Sequence, residues 1–577
     1  MWRIDMITIW HYGNTGVRSP TRIPQALKAY SEWSRYGYLT GRENEIAFED
    51  YLREVGVVPK EENKTSNNDG TYGRKFRFVF YRSGFIYLPK GARGVPFSPE
   101  SIGGSSCQLT PLGRQLIQAD TDEAIEELFL RSASAAIFDL PDGTHFSPLR
   151  WVLAVMLKMH EKCGQAYLSF PEFAVCVQTS NPLFDVSEVV DRVLLIRNKR
   201  AASTYKKQFD RNLYVTEGRD YKGKAQNFRE YADTNLRYMR LTGLFRTRGR
   251  GIELKPEKFA LAKALSASLV SKADLKTIFQ ELVNGPELPT DEIASAMDSL
   301  RNLMDELKAR NIEFEAPSED DMRSALAINR VRRTLERTLR QQEEKEYASI
   351  QRSKWREIND YMELLISGRD RMQIDDEDVE EIAIPRGEAP AYLEWTLWRA
   401  ILALNHLKNL PYEVRNFNVD SDYFPRSTAA GGMPDLVAEF DSCIVVIEVT
   451  LSTSSRQQAM EGSPVRKHVA DLAATSTKPV FGLFVANSFD PNTIDDFHRG
   501  VWYGEERKRF DLHIVPLTLR QFRDCFSSIF SRNLEDKQPL LTLLKLCDQD
   551  RGNNDLYGWQ DSIAQRVKTF ISTNYCF

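Results

Sequence analysis

At 577 residues, with 42% hydrophobic and 27% charged residues, the chain has an ordinary globular composition and is too long for a single hydrophobic core. No apolar run nears the roughly 18 residues of a membrane span, and seven scattered cysteines without a CxxC pair argue against a disulfide framework or a structural zinc. The expectation is a soluble cytoplasmic protein with no membrane partner. The net charge of −4 hides an asymmetry: residues 1–258 carry roughly +8, and 197–258 alone about +10. A near-neutral chain with one basic stretch suits a protein that grips a polyanion with one face.

In chain order, the aromatic and β-branched residues of 76–88 around Ser83-Gly84 read as a β-hairpin. Leu109 to Ile117 reads as a helix with a capping Thr110 and a proline at its first position. Amphipathic helices are expected at 148–160, 168–178 and 186–197. Residues 224–241 have helical spacing, and Leu241-Thr242-Gly243 then closes the helix. A basic glycine turn, Arg246-Thr247-Arg248-Gly249-Arg250-Gly251, follows between two short strands. Helix then basic hairpin is the pattern of a winged helix, which lays a helix in the major groove and a wing on phosphates or the minor groove. Lys224 and Asn227 on the helix and Arg246, Arg248 and Arg250 on the turn are the candidate contacts to double-stranded DNA, and hairpin 76–88 is a candidate second wing. Residues 262–372 read as a charged helical connector, and the acid cluster from Asp375 to Glu381 as a solvated linker.

From 385 the pattern alternates: an apolar helix at 389–406, strands at 435–440 and 443–450, a helix near 456–475, and strands at 479–486 and 513–518. That order suits a mixed sheet flanked by helices. Pro434-Asp435 opens one strand, and Glu448 lies near the end of the next. On adjacent strands both carboxylates reach one sheet edge, where oxygen ligands hold a hard divalent cation such as Mg2+. This is the skeleton of a PD-(D/E)xK nuclease site, with Thr450 standing where a lysine is expected. Glu448 is embedded in an apolar run, where an acid is costly unless a metal or partner compensates it. The neighbouring Val449 offers a backbone carbonyl to the same ion.

Several stretches together resemble the AlwI family of type IIS restriction endonucleases and their nicking relatives. They are Tyr392 to Trp398, the Ala429 to Asp435 turn, Glu448-Val449-Thr450, Met460-Glu461 with Pro464 to His468, and Ile514 to Leu519. Upstream, Arg18-Ser19-Pro20 with Arg22-Ile23, the 78–88 segment and Tyr238 to Lys258 continue the resemblance, which covers nearly the whole chain. The resemblance implies a multidomain α+β protein: recognition subdomains at 1–130 and 131–260, the second winged-helix-like, a helical linker at 261–380, and a PD-(D/E)xK nuclease domain at 381–577. It implies catalytic acids at Glu394, Asp435, Glu448 and Glu461, with His468 nearby and metal ligation by Asp435, Glu448 and Val449. It adds Arg18 and Arg22 to the DNA contacts, and it shares the threonine at Thr450. The implied activity is Mg2+-dependent cleavage at a distance from a short asymmetric site, with a second nuclease subunit or a transient homodimer for double-strand cleavage. Two other readings stay open: a winged-helix DNA-binding protein whose nuclease-like domain is non-catalytic, and a structure-specific repair nuclease.

Overall fold

The computed structural model describes residues 9–572 apart from 14–16, 18–19, 59–69, 90–105, 218–224, 374–380, 386, 405, 453–456, 458–460, 505–508 and 536–537, with backbone alone at 225–228 and 381. It divides into two compact units, Met1–Leu339 and Arg340–Phe577, in a mixed α+β chain that is mostly helical with small sheets. Among the described residues no helix is long and apolar enough to cross a membrane.

The first unit is built on helices around one core that runs from Trp10 to Leu288. Helix Pro111–Gln118 starts as expected, with the Thr110 hydroxyl accepting from the Gly113 amide at 2.9 Å. Helices Pro148–Cys163, Val186–Ala201 and Ala225–Arg240 also form where the apolar spacing placed them. The expected hairpin at 76–88 does not form: Thr71–Arg82 is a helix. Phe76, Val79 and Phe80 are buried at helical spacing, so burying one stripe outweighs the strand preference of aromatic residues. Gly84 then breaks the helix at φ +73°, and a candidate second wing is lost. The segment 168–178 is likewise not one helix, because Tyr167–Leu168 is a strand, Phe170–Glu172 a short helix and Phe173–Val177 a π-helical turn. That strand is the third member of a small sheet. It pairs with Gly251–Leu254, which pairs with Phe245–Arg248.

A second apolar cluster joins helix Ile293–Ala309, through Leu300, Leu303 and Leu307, to Ile328, Leu335 and Leu339 of helix Ala325–Ile350. A buried ion-pair network stands beside it: Arg332 and Lys258 both hold Glu336. Burial alone would raise the Glu336 carboxyl, but the two cations outweigh it and pull the pKa down to about 2.

The second unit is a mixed four-stranded sheet with strand order His513–Thr518, Val480–Ala486, Ile444–Thr450, Leu436–Glu439. The first three strands are parallel, and Leu436–Glu439 is antiparallel to its neighbour. Helix Ala389–Ala403 is apolar nearly all round and is buried from Ala391 to Ala403, as such a helix must be. Helix Ser463–Thr475 packs close over the sheet because residue 482 is glycine. A Cβ there would meet Ile514 at 2.9 Å and Val469 at 3.0 Å.

Candidate functional site

The strand register decides how the two opening acids meet. Ile444 faces Glu439 and Ile447 faces Leu436, so continuing the ladder by one residue sets Glu448 opposite Asp435. One Asp435 oxygen accepts the Val449 amide at 2.8 Å, which closes the end of the strand pair. The turn that delivers Asp435 depends on Gly432, at φ +87° where a side chain would be strained. From the buried helix, Glu394 accepts the Ala429 amide at 2.7 Å and so fixes the start of that same turn.

These carboxylates crowd one another. Burial first, and Asp435 next, push Glu394 well above the usual carboxylate range, with Glu448 and Glu461 adding to it. Burial, then Glu448 and Glu461, do the same to Asp435 against the opposing Val449 hydrogen bond. Glu461, just ahead of helix Ser463–Thr475, is raised mainly by burial, against a hydrogen bond with Thr450. The structure therefore brings Glu394, Asp435, Glu448 and Glu461 into one electrostatic cluster, fed by four separate elements. Thr450 lies inside it and touches Glu461.

His468 reaches the cluster from the helix over the sheet. Its Nδ1 lies 2.5 Å from the Glu448 carboxylate, and that hydrogen bond is the main reason its pKa is raised. A cationic imidazolium is favoured there, and it holds one Glu448 oxygen in place.

Would these residues fit a divalent cation? The donors are hard carboxylate oxygens, the chemistry Mg2+ prefers. Their mutual repulsion is what a bound cation relieves, because each acid can then ionise beside it. Among the described residues no group of three acid, histidine or cysteine side chains is placed to hold a metal ion as it stands. The set fits the group in chemistry and charge.

Sequence reasoning passed over the residues behind the acids. Asn416 donates its backbone amide to the Asp435 carbonyl at 3.1 Å and its side-chain amide to the Pro434 carbonyl at 2.7 Å. Next to it, Arg415 makes a two-pronged pair with Glu344 at 2.9 and 3.0 Å. Tyr347, one turn beyond Glu344, stacks on Trp398 and Tyr423. Trp398 is itself one turn from Glu394. One helix face thus supports the holders of both Asp435 and Glu394. No local pattern marks Asn416; it is a lone asparagine in a loop.

The DNA-contact candidates are dispersed. Arg18 and Lys224 lie outside the described residues, as do most of the 375–381 acids, and only the backbone is described at Asn227. Arg22 donates to the Val57 carbonyl at 2.9 Å. In the hairpin, Arg246 and Arg248 both pair with Glu253 at 2.9 Å. Arg248 also lies over Tyr167 and Arg250 over Phe170, at 4.5 and 4.7 Å. The two-residue turn puts Arg246 directly across from Glu253, a pairing the strand register alone would have given.

The second unit thus holds a convergent acid cluster at the edge of a mixed sheet, and the first a basic hairpin. The sequence profile of the AlwI restriction endonuclease family matches residues 92–525, and the chain belongs to that family. It is therefore a nuclease of the restriction endonuclease class. Curated proteins give no match. Among solved structures, the chain is similar to the small subunit R.BspD6I2 of the heterodimeric restriction endonuclease R.BspD6I, at 20% identity over 37% of this chain and 98% of that one, with a TM-score of 0.27. It is also similar to the BpuJ1 endonuclease binding domain in complex with pyrene- and phenanthrene-modified DNA, at 11% identity over 49% of this chain and 97% of that one, with a TM-score of 0.34. Likeness at these scores is too slight to carry a fold assignment.

Proposed function

We propose that the chain is a type IIS restriction endonuclease, or the large nicking subunit of one. It binds a short asymmetric double-stranded DNA site and hydrolyses a phosphodiester a few bases away with Mg2+. The observation that carries this reading is Asp435 opposite Glu448, with Glu448 and Glu461 close enough to raise both Glu394 and Asp435. Recognition is assigned to 1–130 and 131–260, the second winged-helix-like. A helical linker spans 261–380, and a PD-(D/E)xK nuclease domain spans 381–577.

Asp435, Glu448 and the Val449 carbonyl would hold the ion, and Glu394 and Glu461 would complete its surroundings. Bound Mg2+ supplies charge stabilisation at the phosphoryl group and lowers the pKa of a water. The remaining tasks fall to the chain's own residues. A water must lose a proton as its oxygen bonds to phosphorus, while the bond to the 3′ oxygen breaks. Glu461, hydrogen-bonded to Thr450 at the end of the strand that carries Glu448, is the carboxylate assigned to take that proton. His468 keeps Glu448 oriented toward the ion. Asn416 fixes the peptide that carries Asp435.

One such site cuts one strand at a time, so double-strand cleavage calls for a second copy or a separate small subunit. Supercoiled plasmid incubated with the purified chain and Mg2+ tests this. Open circles are expected from the chain acting alone and linear product from a transient homodimer. Binding without any cleavage under Mg2+ would leave the nuclease domain a mere platform, and cutting only at branched DNA would make it a repair nuclease.

A further inference from the structure

The helix expected to read DNA is poorly placed to do so. From Ala232 onward, helix Ala225–Arg240 is turned into the core through Ala232, Asn235, Leu236, Tyr238 and Met239. Asn235 is fully buried, taking the Tyr12 amide and donating to the Trp10 carbonyl. Helix Val186–Ala201 commits Arg192, Arg197 and Arg200 to Glu217, Glu172 and Asp210.

Helix Lys206–Glu217 is arranged the other way. Its two acids are neutralised from neighbouring elements: Asp210 is buried and held by Arg200 at 2.8 Å, and Glu217 pairs with Arg192 at 2.5 Å. What remains outward is Lys207, Gln208, Arg211 and Asn212, all exposed and at spacings of three and four that share one helix side. Lys206, Lys207 and Arg211 make no ion pair among the described residues. The Gln208 and Asn212 amides bond only to each other in this set, at 2.9 Å. Arginine matches the acceptors of a guanine edge, and glutamine and asparagine match the donor and acceptor of an adenine edge.

The helix also adjoins the basic hairpin. Arg250 covers Phe170, Phe170 meets Tyr214 of the helix edge-on at 6.4 Å between centroids, and Arg229 covers the other ring at 5.3 Å. A buried aromatic pair therefore links the arginine turn to the amide-bearing helix.

We propose that helix Lys206–Glu217 is the base-reading helix of this protein: Gln208, Arg211 and Asn212 contact base edges in the major groove, Lys207 a phosphate, and the 246–250 turn the adjoining backbone. This rests on the reading of the chain as a site-specific DNA endonuclease, which mapping the wild-type cut sites on genomic DNA tests separately. Binding of Arg211→Ala, Asn212→Ala and Lys207→Ala is then measured without Mg2+, on duplexes carrying the mapped site or a scrambled one, over a range of salt. Arg211→Ala and Asn212→Ala should each weaken binding to the mapped site roughly 5- to 150-fold, spare the scrambled duplex and relax the cleavage preference at one position. Lys207→Ala should weaken both duplexes alike and lower the salt slope by about one. If Arg211→Ala and Asn212→Ala weaken both duplexes equally, or change neither affinity nor cut sites, the base-reading assignment is overturned.

Discussion

The acid cluster at Asp435 and the basic hairpin at Arg246 to Arg250 treat like charge in opposite ways. In the hairpin, Glu253 answers two arginines, and aromatic faces lie under Arg248 and Arg250. At the acid cluster, His468 answers Glu448, while Glu394 and Asp435 are left repelling each other in a buried setting. The hairpin is electrostatically settled without a ligand. The acid cluster holds an imbalance that a cation removes, and such imbalance is characteristic of sites that act on a ligand. The difference also orders the expected effects: groups in the unsettled cluster should matter most to activity, and those in the settled hairpin least.

The largest effect should come from Glu448→Gln or Asp435→Asn, each expected to lower Mg2+-dependent cleavage at least about 10³-fold while specific DNA binding persists. Purified variants on plasmid and on a labelled duplex give both readings. Retained cutting would remove the comparison's first half.

Next is the stability of the metal-free protein against pH. Glu394 and Asp435 have folded-state pKa values above their unfolded ones. They therefore cost stability above the raised values, and that cost disappears as pH falls toward the unfolded values. Glu336 has the opposite sign. Its pKa is depressed to about 2 from 4.5, so its contribution is complete above 4.5 and is lost as pH falls through about 2. Glu394→Gln should raise the Tm of the 340–577 unit in EDTA at neutral pH, by roughly 2–4 °C per kcal/mol relieved. A lowered Tm would show that the acid is structurally paired rather than repelled.

Smaller again is Asn416→Ala. It should slow cleavage about tenfold and raise the Mg2+ concentration needed for half-maximal rate, with DNA affinity unchanged, since a misplacement of reacting groups costs rate rather than binding. A fall in affinity with an unaltered Mg2+ dependence would remove Asn416 from the positioning of Asp435. The smallest effect belongs to Glu253→Gln. Releasing Arg246 and Arg248 should tighten DNA binding a few-fold and steepen the salt dependence by about one. Unchanged binding would mean that the hairpin does not reach phosphate.

Much of the second unit was legible in the sequence because its strands are short runs of β-branched residues and their pairing follows from counting. The 13 residues from Asp435 to Glu448 fit one strand, one turn and one strand, and the register agrees. Glu394, Glu461 and His468 came from the family resemblance, since nothing local distinguishes an acid or histidine that a distant element will bring near. The segment 76–82 misled because it is aromatic and β-branched throughout, which masked the helical stripe of Phe76, Val79 and Phe80. Asn416 and helix Lys206–Glu217 were not legible at all. The role of the first depends on two backbone carbonyls, and that of the second on which side its acids turn toward Arg200 and Arg192.

The most direct test of the central claim, that the carboxylates around Asp435 form a divalent-cation site, is the thermal midpoint of the wild type and of Asp435→Asn, each with EDTA and with saturating Mg2+. A ligand that binds the folded state raises its midpoint. Mg2+ should raise the wild type well above its EDTA value and leave Asp435→Asn nearly unmoved. An equal shift in both proteins, or none in the wild type, would contradict the account.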